Sequence, residues 1–109
     1  MSYKIVSIPP FDRQLKQLAK KYPSLKNEIA ALGGKLGENP LAGIALGNNC
    51  YKIRLAVASK GRGKSGGARV ITHIHIAKEM VYLLSIYDKS EQKNISDNEI
   101  KLLMQFILK

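Results

Sequence analysis

Residues 50–57 read Cys50-Tyr51-Lys52-Ile53-Arg54-Leu55-Ala56-Val57. Tyr51, Ile53, Leu55 and Val57 fall on one side of a two-residue period, and Lys52 and Arg54 fall on the other. That alternation predicts a half-buried strand with a basic outer face. A glycine-rich run follows, Lys60-Gly61-Arg62-Gly63-Lys64-Ser65-Gly66-Gly67. The period of two then resumes from Arg69 to Ile76, with Val70, Thr72, Ile74 and Ile76 on one face and Arg69, Ile71, His73 and His75 on the other. After a short turn at Ala77-Lys78-Glu79, a third strand runs from Met80 to Tyr87. Strand, tip, strand, turn, strand is an antiparallel meander.

Upstream, Tyr3 to Ile8 alternates weakly and reads as a short strand closed by Pro9-Pro10. Phe11, Leu15, Leu18 and Tyr22 then recur at helical spacing. Pro23 stops that helix, since its ring blocks the preceding turn, and suits the first turn of the next. Leu25, Ile29, Leu32 and Leu36 carry a second helix up to the turn Glu38-Asn39-Pro40. The two make an αα-hairpin. Downstream, Ser96-Asp97-Asn98-Glu99 is a capping box flanked by a hydrophobic staple, Ile95 and Ile100. Ile100, Leu103, Met104 and Ile107 stripe the helix it opens. Leu102, Phe106 and Leu108 make that helix apolar nearly all round, so it is either deeply packed or shared with a partner chain.

The 109 residues suit one domain, 1–109. No 18-residue apolar run suggests a membrane span, and the N-terminus lacks the apolar core of a secretion signal. The cytoplasm is the expected compartment, and a single cysteine, Cys50, agrees with it. Eighteen Lys and Arg against eight Asp and Glu give a net charge of +10. The excess is concentrated: Asn39 to Lys78 holds no acidic residue and seven basic ones, Lys52, Arg54, Lys60, Arg62, Lys64, Arg69 and Lys78. A field of one sign attracts polyanions: RNA, DNA and acidic protein tails all qualify.

Gly61-Arg62-Gly63-Lys64-Ser65 has the look of a nucleotide-binding P-loop but fails its pattern. Ala58 stands where the leading glycine is required, and a strand follows in place of a helix. A basic tip whose glycines admit phosphates, with Lys60, Arg62 and Lys64 as RNA-binding cations, fits better. The strand phases give a sharper constellation. Lys52 and Arg54, then Arg69 and His73, then Ser85, Tyr87 and Lys89 build one basic surface if their faces coincide. Metal-independent RNA cleavage needs a group to take the 2′-hydroxyl proton, another to protonate the leaving 5′-oxygen, and cations for the charge on phosphorus. Lys52, Arg54 and Arg69 can fill the last role, at roughly 3–4 kcal/mol per well-placed donor. His73-x-His75 has no nearby Cys, Asp or Glu to complete a metal site. The carboxylates show no paired-acid pattern, and Cys50 reads as a small buried residue. No metal and no other cofactor is expected.

Cys50-Tyr51-Lys52-Ile53-Arg54-Leu55, then Ser59 to Ile71 with its glycine-rich run, then Tyr82-Leu83-Leu84-Ser85-Ile86-Tyr87-Asp88-Lys89 resemble the RelE/HigB branch of the RelE/ParE toxin superfamily over nearly the whole chain. The resemblance implies an α+β domain: a helical hairpin packed on a curved antiparallel sheet of about four strands, with a C-terminal helix. It implies the toxin of a type II toxin–antitoxin module, a ribosome-dependent mRNA endoribonuclease inhibited by a cognate antitoxin. Residue by residue, it implies catalytic roles for Lys52, Arg54, Arg69 and Lys89. Tyr87 is a further candidate, although some relatives place a functional tyrosine in the C-terminal helix, and Ile95 to Lys109 contains none. Lys64 and His73 stay open as the proton acceptor. The same fold also serves toxins that poison DNA gyrase, and a non-catalytic nucleic-acid-binding protein is a third reading.

Overall fold

The computed structural model describes residues 2–61 and 66–107. In chain order the elements are β1 (Lys4–Ser7), α1 (Pro9–Lys21), α2 (Leu25–Glu38), β2 (Ile44–Gly47), β3 (Cys50–Leu55), a short 3-10 turn (Ala58–Lys60), β4 (Ala68–His75), β5 (Met80–Asp88) and α3 (Asp97–Met104). The strands form one sheet in the order β1-β5-β4-β3-β2. The fold is α+β, with the helical hairpin and C-terminal helix that the sequence leads one to expect.

Two features differ from the expected four-stranded antiparallel sheet. The sheet has five strands and is mixed, because β1 pairs parallel to β5, Lys4 opposite Met80 through Ser7 opposite Leu83. Parallel pairing needs a crossover between strands, and here the two helices belong to it. The added strand is β2, which forms a tight hairpin with β3. Asn48 and Asn49 at its turn have φ of 53° and 60°. Two successive left-handed residues suit the twist of a two-residue hairpin, and asparagine tolerates them better than most residues.

Pro9 and Pro10 do more than end β1. They are the first residues of α1, where a missing N–H costs nothing. Pro23 lies just before the second helix, and Ser24 is the N-cap of α2. The Ser96 box forms as expected: Ser96 caps α3, and its Oγ accepts from the Glu99 N–H at 3.1 Å.

The sheet has two different faces. Tyr51, Ile53 and Leu55 of β3 share one with Val70, Thr72 and Ile74 of β4 and with Val81, Leu83 and Ile86 of β5, by the strand registers. A hydrogen bond from Tyr22 at the end of α1 to Asp88 of β5 marks this as the helical side. Phe11, Leu25, Leu36, Val70, Ile74, Val81 and Ile86 are fully buried core residues. The opposite face carries Lys52, Arg54, Arg69, Ile71, His73 and Tyr87, and α3 lies against part of it. Met104 of α3 approaches Cys50, and Ile100 is buried. Leu103, Met104 and Ile107 pack partly against the core, while Leu102 and Phe106 face outward. The stripe on α3 is therefore packed and its second apolar side is exposed. Among the described residues no helix is long and apolar enough to cross a membrane.

One irregularity matters for the site. Ile71 pairs with Ser85, but Thr72 pairs with Leu83, so Leu84 is an extra residue in β5. Such a bulge restores face alternation after a mismatch and bends the strand. On its far side, Tyr87 faces the same way as Arg69.

Candidate active site

The registers of β3, β4 and β5 bring three candidate residues into one row. Arg54 pairs with Arg69, and Arg69 pairs with Tyr87. Directly opposed residues of antiparallel neighbours share a face with Cβ atoms about 4.5–5.5 Å apart, so two arginines and a tyrosine stand on one side of the sheet. The next row is Lys52, Ile71 and Ser85, displaced by two residues, or about 7 Å. Arg54 is exposed and Lys52 is half-buried, with the Lys52 Nζ 3.5 Å from the Asn94 side-chain oxygen.

Arg69 was expected at the surface and is not there; it is only 3% exposed. It stands on the central strand, flanked by β3 and β5, and its Nη1 donates to the Ala68 carbonyl at 3.1 Å. Tyr87 is buried too. Its hydroxyl has no hydrogen-bond partner among the described residues. Burial raises the Tyr87 pKa; the nearby Arg69 charge opposes the rise and Glu99 of α3 adds to it. The phenol is thus a proton carrier at neutral pH, with an oxygen aimed at nothing described. A buried polar atom left this way costs free energy and calls for an explanation.

His73 lies four residues along β4 from Arg69, about 13 Å away. Its ring Nδ1 is 3.5 Å from the Cys50 sulfur and its face tilts toward Tyr82. Burial lowers its pKa, so the ring is neutral at neutral pH. The Cys50 thiol is pushed up to about 11 by burial. The structure therefore sets His73 in a pocket with Cys50, apart from the arginine row. His75 accepts from the Lys78 N–H. Among the described residues no three His, Cys, Asp or Glu side chains gather to hold a metal.

Lys60 goes to the other side of the sheet. Its ammonium is nearly buried and forms an ion pair with Asp88, and it also donates to the Gly66 carbonyl at 2.8 Å. The sequence reading, with Lys60 as one cation of a solvent-facing phosphate loop, did not foresee this carboxylate 28 residues away. Arg62 and Lys64 lie outside the described residues. Lys89 follows β5 directly and is half-buried, with its N–H donating to the Gly67 carbonyl at 3.1 Å.

Sequence reasoning passed over two residues here. Gln14 of α1 accepts from both the Ser85 hydroxyl and the Ile86 N–H, covering the part of the β5 edge that β1 does not reach. Asp88 accepts from Tyr22, Ser90 and Lys60. A carboxylate between an apolar strand and a turn was the one signal for the second. Nothing local signalled the first.

A small α+β domain whose three central strands set two arginines and a tyrosine in a row is the class defined by fold and site. The sequence matches a family described as the RelE toxin of the RelE/RelB toxin–antitoxin system over residues 11–107. The chain belongs to that family. Among solved structures it is similar to a double-arginine mutant of the E. coli toxin RelE in the free state, at 20% identity and a TM-score of 0.63, covering 98% of this chain and 99% of that one. It is also similar to the toxin–antitoxin complex RelBE2 from Mycobacterium tuberculosis, at 17% identity and a TM-score of 0.58, covering 81% and 92%. The isolated E. coli RelE toxin matches at 18% identity and a TM-score of 0.57, covering 95% and 98%. These likenesses concern the fold.

Proposed function

We propose that this toxin is a ribosome-dependent mRNA endoribonuclease that works without a metal and is held inactive by a cognate antitoxin. The observation that carries the reading is the row Arg54–Arg69–Tyr87 across three strands. In this reaction the 2′-oxygen bonds to the adjacent phosphorus and the bond from phosphorus to the 5′-oxygen breaks. The 2′-hydroxyl proton passes to solvent water, one proton arrives on the 5′-oxygen, and the phenol that supplies it is reprotonated from solvent. Arg54 and Arg69 hold the phosphate oxygens and take up the charge that grows there. Lys52 and Lys89 flank them along the backbone. Tyr87, kept protonated by its burial, donates its proton to the leaving oxygen or to the phosphate; the RNA supplies the partner its hydroxyl lacks among the described residues.

An antitoxin suits the same surface. The family is that of a two-protein module, and a net charge of +10 favours an acidic inhibitor. The exposed Leu102 and Phe106 side of α3 adds an apolar contact beside the basic face.

The test is incubation of the purified protein with ribosomes programmed with mRNA. The expected products are cuts within codons whose 3′ fragments carry a 5′-hydroxyl, labelled by polynucleotide kinase without prior phosphatase. Intact mRNA together with trapped gyrase–DNA complexes would overturn the reading in favour of a gyrase poison.

A further inference from the structure

The helical side of the sheet holds a polar anchor that the cleavage chemistry does not use. Asp88 is buried and accepts from four donors: the Tyr22 hydroxyl at 2.8 Å, the Ser90 N–H at 2.9 Å, the Ser90 hydroxyl at 2.7 Å, and the Lys60 ammonium. Lys60 also donates to the Gly66 carbonyl at 2.8 Å and the Ser90 hydroxyl at 3.2 Å. Lys60 and Gly66 stand on either side of the segment that carries Arg62 and Lys64. One carboxylate therefore gathers the end of α1, both ends of the glycine-rich loop, and the turn after β5.

Asp88 is also the residue between Tyr87 and Lys89. Consecutive strand residues point to opposite faces, so a pinned Asp88 fixes the phase of Tyr87. The root of the loop is clamped from a second direction. The Ala58 N–H donates to Glu28 at 2.8 Å and the Ser59 N–H donates to Ser24 at 3.0 Å, both at the start of the second helix. The pair also explains why a lysine sits inside. Lys60 neutralises a buried carboxylate, and a surface role would leave that charge unpaired.

We infer that Asp88 and Lys60 are positioning residues, which hold the end of β5 so that Tyr87 and Lys89 meet the RNA backbone beside Arg69. This rests on the nuclease reading given above. Lys60 then acts through Asp88 and does not touch RNA.

The experiment compares K60M, D88N, the K60M/D88N pair and Ser90→Ala at a temperature where circular dichroism shows each folded. Ser90→Ala removes one donor without stranding a charge, so it serves where the ion-pair variants unfold. Cleavage of ribosome-bound mRNA is expected to fall about 10- to 100-fold at saturation, as a displacement of about 1 Å can cause, with the half-saturating concentration unchanged. Ser90→Ala should lose less, in the same direction. The pair should be no worse than D88N alone, because the two act as one unit. The salt dependence of binding to ribosomes carrying a non-cleavable mRNA should keep its slope. Amide exchange at Gly61 and Lys89 should accelerate at least roughly tenfold in the folded protein, an expectation for freed local contacts.

If Lys60 is an RNA contact, K60M instead weakens binding and lowers the salt slope by about one, and the inference fails. Folded variants with wild-type cleavage also overturn it. Unchanged exchange at Gly61 and Lys89 rejects the anchor whatever the cleavage shows. A wild-type protein that cuts no mRNA removes the nuclease reading, while the exchange data still decide the anchor.

Discussion

The far ends of β4 and β5 treat charge in opposite ways on their two faces. On the helical face, Lys60 meets Asp88, and the carboxylate is saturated by Tyr22 and Ser90. On the other face, Arg54 and Arg69 stand side by side with a phenol whose oxygen is left over among the described residues. The first arrangement is what stability favours: buried charge, paired and hydrogen-bonded. The second sets two arginines on neighbouring strands beside that phenol, a face that suits a phosphate on the nuclease reading. Two adjacent residues, Tyr87 and Asp88, belong to the two arrangements. On the nuclease reading proposed above, function and folding are separated here by the thickness of a strand.

Breaking the helical side should have the largest effect. Asp88→Ala strands a buried lysine and is expected to lower unfolding free energy by about 3–5 kcal/mol, read from the urea midpoint. The same pair sets an acid limit. Burial alone would raise the Asp88 pKa, but the hydrogen bonds from Lys60, Ser90 and Tyr22 outweigh it and hold it well below the usual carboxylate range. A depressed folded pKa adds stability above the ordinary carboxylate pKa and loses it as pH falls toward the folded value. The pair's contribution should thus be complete at neutral pH and fade progressively once pH falls below the ordinary carboxylate pKa. Urea titrations from pH 7 to pH 2 should show a steeper acid loss in wild type than in D88N; parallel curves would remove the carboxylate from the acid response.

The other face should break activity first. Arg69→Gln is expected to lower mRNA cleavage about 100- to 1,000-fold, the cost of one lost electrostatic donor. Because Arg69 is buried, the comparison requires a melting curve alongside the rate. Tyr87→Phe sharpens the contrast further. Cleavage should fall about 100-fold, the lower end for a lost proton donor, while stability stays level or rises by about 1 kcal/mol as an unpaired hydroxyl leaves the interior. A Tyr87→Phe protein that is less stable and fully active would reverse the assignment of the two faces. The smallest effect belongs to α3, which lies against part of the same face. Ser96→Ala removes its cap and should cost about 1 kcal/mol, seen as a small shift in thermal midpoint.

The legible parts of the fold were those governed by local rules. The period of two in Cys50-Tyr51-Lys52-Ile53-Arg54-Leu55 placed β3 and put Lys52 and Arg54 on its outer face. The Ser96 and Glu99 spacing located the start of α3 to the residue. β2 was missed because Ile44-Ala45-Leu46 is too short to show a period, although Asn48-Asn49 was a usable hairpin signal. The parallel pairing of β1 with β5 joins segments more than 70 residues apart, which no local pattern encodes. In the site, the shared face of Arg54, Arg69 and Tyr87 followed from strand phase. The burial of Arg69 did not, because it depends on neighbours across two strands. Lys60 misled for a similar reason: a lysine among glycines reads as solvated until its distant carboxylate is found.

The surplus Leu84 in β5 decides which way the last residues of that strand face. If the strand slid by one residue to absorb it, everything from Ser85 onward would turn over. Tyr87 would then point into the helical core, and Asp88 would emerge beside the arginines as an internal counter-ion. The Lys60–Asp88 ion pair needs Asp88 on the helical face, so a contact on the far side of the sheet favours the alignment that sets Tyr87 beside Arg69.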